Sequence, residues 1–148
     1  MDISELKVFQ FTGESAISIW PEVTPLVDLG LAQGCGEKNS DDLLQGVISG
    51  QLQLFVARDK DKVHAVMVTA ILQYPQYKTI FIETMAGRGL VKMIKEYWPI
   101  FTLWAKDNGA IAIEGTTRPS VTRLLRKVNM RKVYDVVRVS LETPTILN

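Results

Sequence analysis

The sequence predicts a single α/β domain built on a mixed sheet, and three observations carry that prediction. Segments in which apolar and polar residues alternate are interleaved with segments whose apolar residues recur every three or four positions. The strand-like segments are adjacent in the middle of the chain but separated by helix-like ones towards its end, so both hairpins and crossovers are expected. No repeat, low-complexity stretch or linker divides the 148 residues, a length typical of one domain.

Residues 6–11 (Leu-Lys-Val-Phe-Gln-Phe) alternate as a half-buried strand does. After Thr12-Gly13, Ile17, Trp20, Val23, Leu26, Val27 and Leu31 recur at helical spacing. Pro21 and Pro25 must start or interrupt that helix, which predicts a short piece followed by a longer one. The glycine-rich residues 33–36 end it. Asn39-Ser40-Asp41-Asp42 is an N-cap signal for a second helix over 41–49, stopped by Gly50.

Residues 52–57 and 63–72 read as strands joined by the charged tip 58–62 of a hairpin. Tyr74-Pro75-Gln76-Tyr77 turns the chain into a further strand over 78–83, which ends on Glu83. A helix running from Leu90 towards Asn108 carries the stripe Leu90, Ile94, Tyr97, Phe101 and Trp104, with Pro99 expected to kink or split it. A short buried strand over 110–113 follows Asn108-Gly109. Pro119 starts another helix whose apolar positions are Val121, Leu124, Leu125 and Val128. A last strand is expected over 132–141 and a frayed tail over 142–148.

Composition narrows the function. With 47% hydrophobic and 22% charged residues the chain is an ordinary folded protein, and no apolar run is long enough for a membrane span. The start Met1-Asp2-Ile3-Ser4-Glu5 is acidic, unlike a signal peptide. The single cysteine, Cys35, excludes an internal disulfide and suits the cytoplasm; flanked by Gly34 and Gly36 it reads as an inert thiol. No Cys/His cluster has zinc-ligand spacing. His64 reads as a surface strand residue, and the three tryptophans as core or interface.

Net charge is only +1, yet residues 1–42 are strongly acidic, while residues 115–134 carry Arg118, Arg123, Arg126, Lys127, Arg131 and Lys132 and no acid. Such asymmetry suits a phosphorylated ligand, an acidic partner or head-to-tail self-association, or simply solvates a helix face. A basic helix without interleaved aromatics makes no case for nucleic acid.

The most informative local feature is Thr84-Met85-Ala86-Gly87-Arg88-Gly89, between the strand carrying Glu83 and the helix opened by Leu90. Glycines let a backbone approach a ligand closely, and the unpaired N–H groups of a new helix attract anions such as pyrophosphate. The same glycines also suit a plain corner.

The element order and this turn resemble the GNAT acetyltransferase superfamily, whose signature there is Gln/Arg-x-x-Gly-x-Gly/Ala. Gly87 and Gly89 match its small positions, and Thr84 stands at the Gln/Arg position. The chain is similar, more narrowly, to small GNAT-like proteins encoded by tailed bacteriophages. That resemblance runs through Ile19-Trp20-Pro21, Asp41-Asp42-Leu43-Leu44, Gly50-Gln51-Leu52-Gln53-Leu54, Val68-Thr69 with Tyr74-Pro75, Ile113-Glu114-Gly115 with Arg118, and Leu124-Leu125-Arg126-Lys127. It implies a mostly antiparallel mixed sheet flanked by helices, and acetyl-CoA as the donor to an unknown amine acceptor or protein partner. It also implies a protein of the host-cell cytoplasm, or else a virion component or host-protein modulator that has lost catalysis.

Carried onto this chain, the resemblance makes Thr84, Met85, Gly87, Arg88, Gly89, Leu90 and Arg118 the candidate cofactor contacts, with Arg123 and Arg126 near the phosphates if their helix borders the groove. Acetyl transfer to an amine needs a base, and Glu83 on the fourth strand is the first candidate. Glu114 is the alternative, unless it caps the next turn or pairs with Arg118. GNAT enzymes often place a tyrosine, as proton donor, where this chain has Leu125, which has no proton to give.

Overall fold

The computed structural model describes residues 6–88 and 90–142. Five strands form one sheet in sequential order: β1 (Lys7–Phe11), β2 (Leu52–Arg58), β3 (Val63–Gln73), β4 (Lys78–Gly87) and β5 (Ala112–Gly115). The first four pair antiparallel, and β5 joins β4 in parallel after a helical crossover. Helices α1 (Ser15–Leu31) and α2 (Ser40–Ser49) cover one face and α3 (Leu90–Asp107) the other, while α4 (Pro119–Leu125) continues into a short 3-10 turn, Arg126–Val128.

Alternation along the strands sorts the two cores. Leu54, Val56, Val66 and Val68 face α1 and α2, where they meet Ile19, Trp20, Val23, Val27, Leu43 and Val47. The residues between them, Phe55 and Met67, face α3 and pack with Ile80, Phe101 and Trp104. The rings of Phe55 and Trp104 meet edge to face at 4.9 Å, a geometry aromatic quadrupoles favour.

Several expectations need correction. α1 is one continuous helix despite Pro21 and Pro25, because both prolines lie on its exposed side while Ala16, Ile19, Trp20, Val23 and Val27 are buried against the sheet. Ile17, expected to face inwards, is exposed. α3 likewise runs unbroken through the exposed Pro99. In both, packing of the apolar face outweighs a proline cost of about 3 kcal/mol. α2 starts as expected: Asn39 and Asp42 form a reciprocal capping box, and Gly50 ends the helix with φ +83°.

β4 extends four residues beyond Glu83, to Gly87, so most of the expected turn is strand. β5 lies two residues later than expected and is half-exposed rather than buried, which places Glu114 within it. The expected last strand, 132–141, does not form among the described residues. Residues 130–142 make no strand pairing among the described residues, and Val133, Tyr134, Val136, Val137, Val139 and Leu141 are 70–89% exposed. Their alternation reads as β, but a strand also needs an edge to pair with. The expected N-terminal acidity and the tail beyond residue 142 lie outside the described residues.

Candidate functional site

The sheet opens at Glu83. In the β3–β4 register Val68 opposes Thr84 and Thr69 opposes Ile82, so Glu83 is the extra residue of a β-bulge. On its other side β4 pairs with β5 only over Thr79–Ile82, against Ala112–Gly115. β5 ends there, at Gly115, and the β5-facing backbone of residues 83–87 has no strand partner among the described residues. A strand edge of this kind is a row of N–H and C=O groups ready to pair with an extended ligand.

Beside this opening lies a groove of about 100 Å³ between the first turns of α3 and the α4 segment. Met85, Leu90, Val91, Ile94, Val121, Leu124, Leu125 and Val128 make it apolar, and Lys95 and Lys127 stand with them. Met85, Leu90 and Ile94 also line a larger hollow of about 300 Å³ between the sheet and α3, reaching Phe55, Tyr97 and Trp104. The two share these side chains as a common wall.

The glycine corner has a different basis from the one expected. A Cβ on Gly87 would sit 2.5 Å from the Cα and Cβ of Ala65 and from the His64 carbonyl, and its φ is +154°. The Arg88 N–H donates to that same carbonyl at 3.0 Å. Gly87 is thus required where β4 closes tightly on β3, and the Arg88 amide is already used. Gly89 lies outside the described residues. Leu90 opens α3, packed against Ala57 and Ala65. The first N–H groups of that helix lack intrahelical acceptors, as at every helix start.

Thr84 faces away from the groove. Its side chain is buried under α1, where a Cβ on Gly30 would lie within 2.1 Å of its hydroxyl, and that hydroxyl has no hydrogen-bond partner. A Gln or Arg side chain at position 84 has no room on that side, which accounts for the small residue there. Met85, one residue on, points into the groove.

Both candidate bases are engaged. The Glu83 carboxylate accepts from Lys38 Nζ at 2.6 Å and is only 12% exposed. Glu114 accepts from Tyr74 Oη at 2.6 Å and Thr79 Oγ1 at 2.7 Å, and the phenol's proton is held above its usual range by that bond. Glu114 does not pair with Arg118, whose guanidinium donates instead to the carbonyls of Gln33 and Gly34 in the α1–α2 loop. In the same loop the Glu37 carboxyl is held below its usual pKa first by its own backbone N–H, then by the Cys35 N–H, with Arg138 at 3.6 Å adding to them. Leu125 is buried in the groove wall, and none of the described residues lining that groove is a tyrosine.

Two features were missed in sequence. Lys38 lies 45 residues from Glu83, and no local signal links them. His64 is buried, not on the surface. Its Nε2 sits 2.8 Å from Asp59, while Nδ1 is buried without a partner. Asp59 also accepts from the Asp61 and Lys62 N–H groups, and this set, led by His64, holds its carboxyl down at about 2. The pairing spans the hairpin tip, and the charged run 58–62 before a lone histidine was its one trace in the sequence.

Among the described residues no cluster of three or more His, Cys, Asp or Glu could hold a metal, and no helix is long and apolar enough to cross a membrane.

Comparison with solved structures settles the architecture. An aminoglycoside acetyltransferase from an uncultured soil metagenomic sample superposes with TM-score 0.66 at 13% identity, over 95% of this chain and 98% of that one. This chain has the GNAT fold. Glucosamine-6-phosphate N-acetyltransferase from Arabidopsis thaliana gives 0.67 at 12% identity, covering 93% of this chain and 99% of its own. An aminoglycoside N-acetyltransferase in complex with CoA gives 0.66 at 12% identity, over 93% and 95%. No family model matches the sequence, and no curated protein matches it either.

Proposed function

We propose that this GNAT-fold chain is an acetyl-CoA-dependent N-acetyltransferase acting on an amine. The observation that carries the reading is the edge of β4 that continues past the end of β5 from the Glu83 bulge, without a strand partner among the described residues, directly beside an apolar groove walled by α3 and α4. The residues fit the cofactor. An extended amide-containing arm can pair with the free edge of β4, and Met85, Leu90, Leu124 and Leu125 exclude water around it. Lys95, Lys127, the Arg88 side chain and the first turn of α3 offer positive charge to phosphates. Gly87 shapes the corner and Gly89 completes the motif in sequence. Arg118, turned to the α1–α2 loop, serves the acceptor side rather than the phosphates.

Acetyl-CoA, when bound, supplies the activated acetyl group. The chain's own part is to place and deprotonate the amine. Glu83 stands at the mouth of the opening, and the acceptor ammonium replaces Lys38 on its carboxylate and gives it a proton. Leu125, in the groove wall, has no proton to give, so protonation of a departing thiolate would fall to solvent water. Titration calorimetry with acetyl-CoA and with CoA tests the reading: both should bind saturably and raise Tm, and no heat with no shift in Tm would overturn it.

A second reading has specific support. Both carboxylates suited to act as base are already bonded within the chain, and Leu125 replaces the proton donor. With the phage-like sequence segments, this favours a GNAT-fold protein of a bacteriophage that acts as a virion component or binds a host protein. Its presence in purified phage particles together with failure to bind acetyl-CoA would select this reading; acetylation of a defined amine would exclude it.

A further inference from the structure

The sheet ends at β5 with an unpaired outer edge among the described residues, and the chain continues into a segment made for such an edge. Ala112 and Gly115 on β5 are exposed, and Ile111, just before it, is 71% exposed. Residues 132–141 are rich in β-branched residues, and their alternation places Val133, Val137, Val139 and Leu141 on one side. Each of these four is at least 78% exposed, and the segment takes no strand partner among the described residues. Its described ties are polar and loose: Arg138 to Glu37 at 3.6 Å, and an ion pair within the segment, Lys132 to Asp135. One chain therefore carries both halves of an interface, an open edge and a strand to fill it, and does not bring its own halves together. An unpaired apolar strand in water is the arrangement that soluble proteins avoid.

We propose that two copies of this chain exchange residues 132–141, each copy's segment adding to the β5 edge of the other in a two-fold dimer. An isologous exchange fills both β5 edges with both segments at once and so closes at two copies, whereas a head-to-tail contact would leave one segment and one β5 edge to propagate. Asn129, with φ +66°, lies between the 3-10 turn and the segment and serves as the hinge. The proposal concerns the β5 edge alone and is independent of what the groove binds.

Light scattering on the full chain should give twice the 16.6 kDa chain mass. A mass of 16.6 kDa would overturn the proposal. Val137→Pro removes a strand N–H at a position 89% exposed, so the body of the protomer is untouched. This variant should be monomeric with native circular dichroism and a cooperative melt, and a dimer that survives it would also overturn the proposal. To separate exchange from other dimers, Ala112→Cys in a Cys35→Ser background is combined in turn with Val133→Cys, Asp135→Cys and Val137→Cys. Oxidation should link two chains in at least one combination. Disulfides only within a chain would show the segment folding onto its own β5, and no disulfide in any combination would place it elsewhere; either result overturns the exchange.

Discussion

Replacing Gly87 by alanine separates a glycine that serves the sheet from one that serves a ligand. The new Cβ would stand 2.5 Å from Ala65 Cα, Ala65 Cβ and the His64 carbonyl oxygen, about 1 Å inside the 3.4 Å at which ordinary contact begins. Two of those atoms are backbone, so no rotamer change relieves the clash, and β4 must move off β3. Overpacking of this kind costs about 1–3 kcal/mol, and a non-glycine residue at φ +154° adds about 1–3 kcal/mol. Taking about 3 kcal/mol in all, Tm of the unliganded chain should fall by about 6–12 °C, at about 2–4 °C per kcal/mol for a domain of this size. Removing one methyl with Ala65→Gly should recover only part of the loss, since Ala65 Cα and the His64 carbonyl remain. Thermal unfolding without ligand is the assay. An unchanged Tm combined with loss of acetyl-CoA binding would refute the reasoning and return Gly87 to a purely ligand-facing role.

Four other perturbations follow from the same geometry. Thr84→Val removes a buried hydroxyl without a partner and should stabilise the unliganded chain by about 1 kcal/mol; a fall in Tm would show that the hydroxyl is satisfied after all. Asp59→Asn should lower Tm at neutral pH. Because the folded carboxyl is held at about 2 against an ordinary 3.8, its contribution is complete above pH 3.8 and is lost as pH falls towards 2, so the gap from wild type should close over that window in a Tm–pH series. Leu124→Asp places a carboxylate in the apolar groove at a half-exposed position and should weaken acetyl-CoA at least about tenfold by calorimetry, with little change in Tm of the free protein. Lys38→Met frees Glu83 and should lower KM for an amine acceptor by about 1.5- to 5-fold, the worth of a partly exposed ion pair; an unchanged KM would show that the acceptor never meets Glu83.

What the sequence made legible was local. Period and capping chemistry placed most helices and strands, as Asn39 with Asp42 and Gly50 illustrate for α2. What it hid was decided across the chain. Pro21, Pro25 and Pro99 read as breaks because a sequence pattern does not weigh the packed faces opposite them. The extent of β4 depended on β3, whose Ala65 accepts a strand partner as far as Gly87. The exposed run from Val133 to Leu141 has every local mark of a strand, yet pairing is a property of two segments. At the candidate site, the turn drew attention to Gly87, but the structural reason for a glycine there lies in Ala65 and His64 on β3. The partners of Glu83 and Glu114 are Lys38, Tyr74 and Thr79, each 35 or more residues away, where no motif reaches.

The two sides of the opening differ in readiness. On the groove side the apolar walls stand beside a strand edge that has no partner among the described residues. On the Glu83 side the chain blocks itself. The α1–α2 loop is tied by Arg118 to its carbonyls, by Arg138 to Glu37 and by Lys38 to Glu83. The Arg138 tie is more than half exposed on both partners and therefore weak, while Glu83 is 12% exposed, so the Lys38 bond is the one that the proposed amine acceptor would have to replace. Arg138 belongs to the segment proposed to cross to a second copy. Exchange would carry it away from this Glu37, leaving Arg118 and Lys38 to hold the loop.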